Sequence, residues 1–312
     1  MNRREFSALS ALGAFALRSM SGEDFDYPWK LGIITDEADA DLNRVLNSFY
    51  PKYHLHWAEI RNVKLNGKSE YVYKSAKKTE VQQIRQQLDN AGVKVSVLDT
   101  GVYKIPLPGT KPLGANASDL NPAEGEFGHQ LEDLKRAADV AHALGTERVR
   151  IFTFKRVAEP DPIFERIVEA LEKAIAVAKQ QGVILLVENE FDCNVATGSE
   201  TAKLFRTISD TTLMHNWDPG NCYEAGEQPF PKAWEQLDHS RISHIHLKDA
   251  AGKAWKPIGG GEIDFVGQFR ALKTMNYLGT MSLETHYKNA QKDPYASSVE
   301  SMDGLMGVLK RV

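Results

Sequence analysis

Cysteine is almost absent from this 312-residue sequence: only Cys193 and Cys222 occur. Two thiols build neither a disulfide framework nor a thiolate metal cluster, so both read as small buried side chains. A basic surplus is missing too. The formal net charge of −4 and pI near 6.2 give no electrostatic footprint for a nucleic-acid backbone. No G-x-G-x-x-G follows the first apolar run, which removes support for a dinucleotide-binding sheet. No apolar run reaches the roughly 18 residues of a membrane-spanning helix. No low-complexity stretch or linker divides the chain. What is present is globular: 42% hydrophobic and 26% charged residues, with the charges mixed along the sequence.

The first twenty residues stand apart. Asn2-Arg3-Arg4-Glu5-Phe6-Ser7 sets paired arginines ahead of an apolar run from Ala8 to Leu17, which resembles a twin-arginine export signal. Residues 1–20 are therefore expected to direct export to the periplasm, with no stable membrane association afterwards. Without that signal the chain would be cytoplasmic. Residues 28–312 are expected to fold as one domain, because closed α/β barrels reach about 250 residues undivided.

From Trp29 onward a short apolar run followed by a longer helical pattern recurs eight times. The predicted strands are Lys30–Thr35, Trp57–Arg61, Lys94–Leu98, Arg148–Phe154, Val183–Val187, Leu213–Trp217, Ile242–Leu247 and Thr280–Leu283. Several are continuous hydrophobic runs, as parallel strands covered on both faces require. The clearest helices are Thr79–Ala91, His129–Leu144 and Pro162–Gln181. In the last, Ile163, Ile167, Leu171, Ile175 and Ala178 form one buried stripe. Gly92, Gly145 and Gly182 close the three helices. The fold predicted is α/β, a single (β/α)8 TIM barrel. A doubly wound open sheet is the alternative. The long connection from Thr100 to about Gly128, with four prolines and five glycines, reads as a lid or binding segment.

Chemistry concentrates at the ends of the last four strands. Glu188, Asp218, His246 and Glu284 are 30, 28 and 38 residues apart, about one βα unit each time. Neighbouring barrel strands would aim them at one point on the C-terminal rim, where barrel active sites are built. Three carboxylates and one imidazole make an oxygen-rich site for one divalent ion, Mn2+ first, with Mg2+, Co2+ or Zn2+ as alternatives. Taken singly, each group could equally satisfy a strand end. His215 faces away from Asn216 on its strand and reads as a packed histidine.

These motifs resemble the xylose isomerase-like barrel superfamily, the sugar phosphate isomerases/epimerases, over roughly Trp29 to Arg311. His244-Ile245-His246-Leu247-Lys248-Asp249 and Gly259-Gly260-Gly261-Glu262-Ile263-Asp264-Phe265 are similar to the family's H-x-H-x-K-D and G-x-G-x-I-D-F signature. Glu188, Asp218, His246 and Glu284 stand where the family places its metal ligands, and Glu59 matches a frequent family residue near the substrate. One departure is informative. Many relatives carry His three residues after the aspartate, and the endonuclease IV branch uses that His in a trinuclear zinc cluster; here Asn221 occupies the place.

The resemblance implies a carbohydrate chelated through neighbouring carbonyl and hydroxyl oxygens. Glu188 and Glu284 would act as the acid–base pair, on opposite faces of the sugar in the epimerase branch. Glu59, Arg61, Asn221, Lys248, Trp255 and Tyr103 are the candidate substrate contacts, with Trp217 weighed as a flat face and read as packing. The expected function is a divalent-metal-dependent sugar isomerase or epimerase moving a proton next to a carbonyl. The alternative is a lyase or dehydratase acting on a keto-glycoside or keto-inositol at the same site. A phosphodiesterase and a non-catalytic carbohydrate-binding protein rank below both. The expected partner is a small carbohydrate, not nucleic acid, with a homo-oligomer left open.

Overall fold

The structure, a computed structural model, describes residues 27–114 and 123–312. Eight strands run in chain order: β1 Lys30–Ile34, β2 Trp57–Ile60, β3 Lys94–Asp99, β4 Arg148–Ile151, β5 Ile184–Glu188, β6 Leu213–Trp217, β7 Ile242–Leu247 and β8 Thr280–Leu283. Each pairs in parallel with its sequence neighbour, and β8 closes on β1 through Leu31 opposite Met281. The expected TIM barrel is the observed fold. Closure leaves no sheet edge, and each strand presents alternate residues to the interior. In β7, His244 and His246 face inward, both reaching Glu59 of β2 across the barrel. Ile245 and Leu247 belong to the hydrophobic core cluster.

Helices Lys78–Asn90, Ala123–Leu144 and Phe164–Gln181 cover the outside. Gly92, Gly145 and Gly182 take φ of 67°, 80° and 69° behind them, the left-handed turn that ends a helix without a Cβ clash. Two boundaries differ from the sequence reading by more than two residues. β4 stops at Ile151, so Phe152 to Phe154 leave the sheet, and the Phe152 and Phe154 N–H groups donate to the Val102 and Tyr103 carbonyls. The second helix starts at Ala123, not His129, which shortens the long connection. The described part of that connection is fastened down: Pro112 bridges to Val157, and the Leu113 N–H donates to the Arg156 carbonyl at 2.8 Å. Residues 115–122 and the export signal expected in residues 1–20 lie outside the described residues. No helix among the described residues is long and apolar enough to cross a membrane.

Two hairpins stand after strand ends. One follows β2 (Asn62–Leu65 with Lys68–Tyr71), and the other follows β7 (Asp249–Ala251 with Ala254–Lys256). The second hairpin carries Trp255 over the site described next.

Candidate metal centre

Glu188 ends β5, Asp218 follows β6, His246 lies near the end of β7, and Glu284 follows β8. One ligand-capable atom from each stands within 4.8 Å of the others, and all four residues are buried. His246 is central. Its Nδ1 is 3.4 Å from Glu188 Oε1, 3.5 Å from Asp218 Oδ2 and 3.4 Å from Glu284 Oε2. The strand-end placement read from the sequence brings these four together.

Local sequence explains the Asp218 corner. Asp218 caps the short helix Pro219–Glu224, its Oδ1 accepting from the Asn221 backbone N–H at 2.7 Å. Proline fits the first helical turn without losing a bond. A Cβ on Gly220 would come within 2.3 Å of Lys248 Cγ, so only glycine lets the lysine lie across this corner. The Asn221 side chain donates to Glu188 Oε1 at 2.9 Å. Asn221 thus orients Glu188 and is fully buried, rather than facing a substrate as the sequence suggested.

The signature after β7 is structural in the same way. Asp249 accepts backbone N–H groups from Ala250 (2.9 Å), Gly259 (2.8 Å), Gly261 (3.0 Å) and Ile263 (3.3 Å). A Cβ on Gly261 would meet Asp249 Oδ1 at 2.1 Å. The glycine-rich turn is therefore a nest of amides already filled by a carboxylate of the same chain.

Three clustered carboxylates demand positive charge. Burial alone would raise Glu188, but Arg150 and then His246 outweigh it and hold the carboxyl down to about 2. Burial likewise opposes ionisation of Glu284, and Lys248, His286 and His246 keep it well below the usual range. Burial would strip the proton from His246, yet Glu59, Glu188 and Glu284 hold it on well above the ordinary imidazole range. The same oxygens favour positive charge at this point. Asp218 Oδ2 is buried and accepts no hydrogen bond, although Lys248 Nζ lies 2.9 Å away. An orphaned carboxylate oxygen beside two other acids and an imidazole suits a hard divalent ion.

Lys248 is fully buried, 2.6 Å from Glu284 Oε2. Arg61 is pinned through Nε and Nη2 to Asp36 and through Nη2 to Glu37, leaving Nη1 3.6 Å from Glu284 Oε1. Trp255 stacks edge-on against His286, with Lys248 Nζ 5.5 Å from its ring centroid. A cavity of about 570 Å³ is lined by Glu37, Trp255, Thr285, His286 and Lys288, among them the two residues that follow Glu284.

Two expected substrate contacts are placed elsewhere. Tyr103 is buried, stacked on Phe154 at 4.5 Å, and its hydroxyl donates to the Ala170 carbonyl. Core packing has claimed it. Glu59 is fully buried beneath His246 and accepts from both His244 and His246. Trp217 is fully buried. His215 packs against Phe205 and Trp217, and burial holds it neutral down to about 3.

Sequence reasoning missed Arg150, Asp99, His244, Glu37 and His286. Arg150 bridges Glu188 Oε2 (2.8 Å) and Asp99 Oδ1 (3.3 Å) in the buried interior. Its signal was a charge inside the apolar strand Val149-Arg150-Ile151. Glu37, Glu284 and His286 also offer atoms within 4.8 Å of one another. The Arg61 guanidinium, in contact with Glu37 and facing Glu284, already supplies positive charge there.

Comparison with known proteins agrees with this architecture. The family profile of the xylose isomerase-like TIM barrel matches residues 63–305. Among curated proteins, an inosose dehydratase of Clostridium perfringens (strain 13 / Type A) is 24% identical over 176 residues, 50% of this chain and 58% of the relative. An inosose dehydratase of Erwinia tasmaniensis is 22% identical over 213 residues, 57% of this chain and 71% of the relative. The matched region spans a little over half the length of the first of these. Among solved structures, the IOLI protein with a binding zinc atom superposes with a TM-score of 0.67 at 15% identity, covering 90% of this chain and 98% of the other. The 3-keto-D-glucoside 4-epimerase YcjR from E. coli gives 0.62 at 14% identity, covering 90% and 99%. The chain belongs to the xylose isomerase-like TIM barrel family, an enzyme family whose members matched here include both dehydratases and epimerases.

Proposed function

We propose that this chain is a divalent-metal-dependent dehydratase acting on a keto-inositol or keto-glycoside. The carrying observation is the unequal setting of two glutamates in one cluster. Glu188 is held on both oxygens, by Arg150 at 2.8 Å and Asn221 at 2.9 Å. Glu284 meets Lys248 Nζ at 2.6 Å on one oxygen and His286 Nε2 at 3.4 Å and Arg61 Nη1 at 3.6 Å on the other, and the two residues that follow it, Thr285 and His286, line the open cavity. Epimerisation requires two acids that both exchange a proton at one carbon. Elimination requires one base and one donor for the leaving hydroxyl, and Glu284 with Lys248 is such a pair.

Glu188, Asp218, His246 and Glu284 would hold the ion, with Mn2+ the expected metal and Mg2+, Co2+ or Zn2+ the alternatives. When bound, the ion supplies Lewis acidity beside the substrate carbonyl. Glu284 takes the proton from the carbon next to that carbonyl. Lys248 gives a proton to the hydroxyl as the carbon–oxygen bond breaks, water leaves, and a carbon–carbon double bond forms. The 2.6 Å hydrogen bond then returns the proton from Glu284 to Lys248. Trp255 offers a flat face above the lysine, and Arg61 Nη1 a donor beside Glu284. The amide nest of Gly259–Gly261 is filled by Asp249, which favours a free polyol over a sugar phosphate. The matched inosose dehydratases support the same reading.

Epimerisation, the first reading of the sequence, is the second one here, favoured by the presence of both Glu188 and Glu284 in the cluster. Incubating Mn2+-loaded protein with keto-inositols and 3-keto-glycosides in D2O separates the two by NMR. An unsaturated product supports the dehydratase. Deuterium uptake with the skeleton intact supports the epimerase. No exchange on any of these compounds sinks both. Export through residues 1–20 is also proposed, from the paired Arg3 and Arg4. A reporter fused after residue 27 should reach the periplasm, and retention after Arg3 and Arg4 are both changed to Lys is the expected control; a reporter that stays cytoplasmic in both cases refutes it.

A further inference from the structure

Beneath the four presumptive ligands a column of buried polar groups crosses the barrel. Glu59 Oε1 is 2.9 Å from His246 Nε2, and Glu59 Oε2 is 2.8 Å from His244 Nε2. His244 Nδ1 is 2.6 Å from Thr280 Oγ1, and Thr280 Oγ1 accepts from Arg148 Nη1 at 3.2 Å. Glu59, His244 and His246 are fully buried and Thr280 is 1% exposed, so the column is closed to bulk solvent.

The direction of every bond in this column is fixed by its two ends. Arg148 only donates, so the Thr280 hydroxyl is free to give its own hydrogen to His244 Nδ1. An ionised carboxylate only accepts, so both imidazoles must carry a hydrogen on Nε2. Donation runs from Arg148 through Thr280 and His244 into Glu59, and from His246 into the same carboxylate. Once an ion displaces its second proton, His246 keeps the Nε2–H toward Glu59 and turns the Nδ1 lone pair to the point facing Glu188, Asp218 and Glu284. Asn216, placed with its Nδ2 toward Nε2, would set two donors face to face. Its amide lies 3.1 Å from His246 Nε2, and its Oδ1 is buried without a partner. Turning that amide by 180° gives the oxygen the Nε2–H to accept, an exchange of atoms that heavy-atom positions do not distinguish.

We infer that Glu59 is a positioning residue that locks His246 in the tautomer whose Nδ1 can bind a metal ion, with His244 and Thr280 holding Glu59 as a pure acceptor. This rests on the metal reading of the proposed function. Carboxylates that orient a ligating imidazole through its second nitrogen typically change metal affinity 10–100-fold. Glu59→Gln offers one accepting oxygen and one donating nitrogen to two imidazoles that both need to donate, so one of them must change tautomer.

The test measures Mn2+ affinity by calorimetry and the downfield imidazole N–H protons by NMR in the full chain. Wild type should show slowly exchanging Nε2–H protons from His244 and His246. E59Q should lose at least one and bind Mn2+ about 10–100-fold more weakly. E59Q that binds Mn2+ like wild type, with only its KM raised, would make Glu59 a substrate contact and overturn the inference. Should E59Q fail to fold, Thr280→Val, which touches no presumptive ligand, takes its place: weakened Mn2+ binding upholds the lock and unchanged binding overturns it. If wild type takes up no ion, the proposed function falls while the N–H protons still decide this inference, since the survival of both in E59Q would refute it.

Discussion

The two halves of the barrel rim do different work. β5 to β8 deliver Glu188, Asp218, His246 and Glu284 to one point. β1 to β4 and the turns after them answer with Arg61 and Arg150, and with the buried acids Glu59 and Asp99. The first half can be recognised strand by strand, because each ligand sits at or near the end of its own strand. The second half exists only as contacts across the barrel, such as Glu59 of β2 with His244 and His246 of β7. The candidate metal site thus has a side that carries the four clustered groups and a side that faces them with buried charge.

The comparison breaks most visibly on the ligand side. Glu284→Gln should lower turnover by about 10²–10⁴-fold, the usual contribution of a positioned base, while cooperative unfolding is retained. Turnover within a few-fold of wild type would remove Glu284 from the chemistry.

On the charge-setting side, Arg150→Met leaves Glu188 and Asp99 without their buried partner, which should cost roughly 3–5 kcal/mol in urea unfolding. Its pH dependence sharpens the point. Glu188 is held down to about 2 against an ordinary 4.5, with burial opposed by Arg150 and His246. Its contribution to stability is complete above about pH 4.5 and is lost as pH falls toward 2. Without the guanidinium, burial acts with less opposition, so R150M should begin to lose stability at higher pH than wild type. Superimposable acid limbs would show that Arg150 does not set the charge of Glu188.

The smallest effect belongs to the surface between the halves. Trp255→Ala should raise KM roughly tenfold, about 1.4 kcal/mol, while Mn2+ affinity stays unchanged. A loss of Mn2+ affinity instead would mean that the Trp255 hairpin supports the ion and not the substrate.

What could be read from the sequence follows the same division. Parallel strands buried on both faces write themselves as apolar runs, so the barrel and the four convergent residues were legible. Glu59 and Tyr103 were read as substrate contacts because strand position alone does not tell which neighbour fills the space around a side chain. Tyr103 has its hydroxyl on the Ala170 carbonyl, and Glu59 faces two imidazoles from a strand 185 residues away. The glycines after β7 read as a family signature, but that Asp249 consumes their amides emerges only from the folded turn. Arg150 was the clearest overlooked sign, since a guanidinium in an apolar strand must find carboxylates inside the barrel.

The central claim is that one divalent ion belongs at His246 Nδ1. Titrating Mn2+ into chelator-stripped protein, with free Mn2+ followed by EPR, tests it most directly. The account predicts one ion bound per chain, and loss of that uptake in both His246→Gln and Asp218→Asn. No uptake by the wild type, or undiminished uptake by His246→Gln, would contradict it.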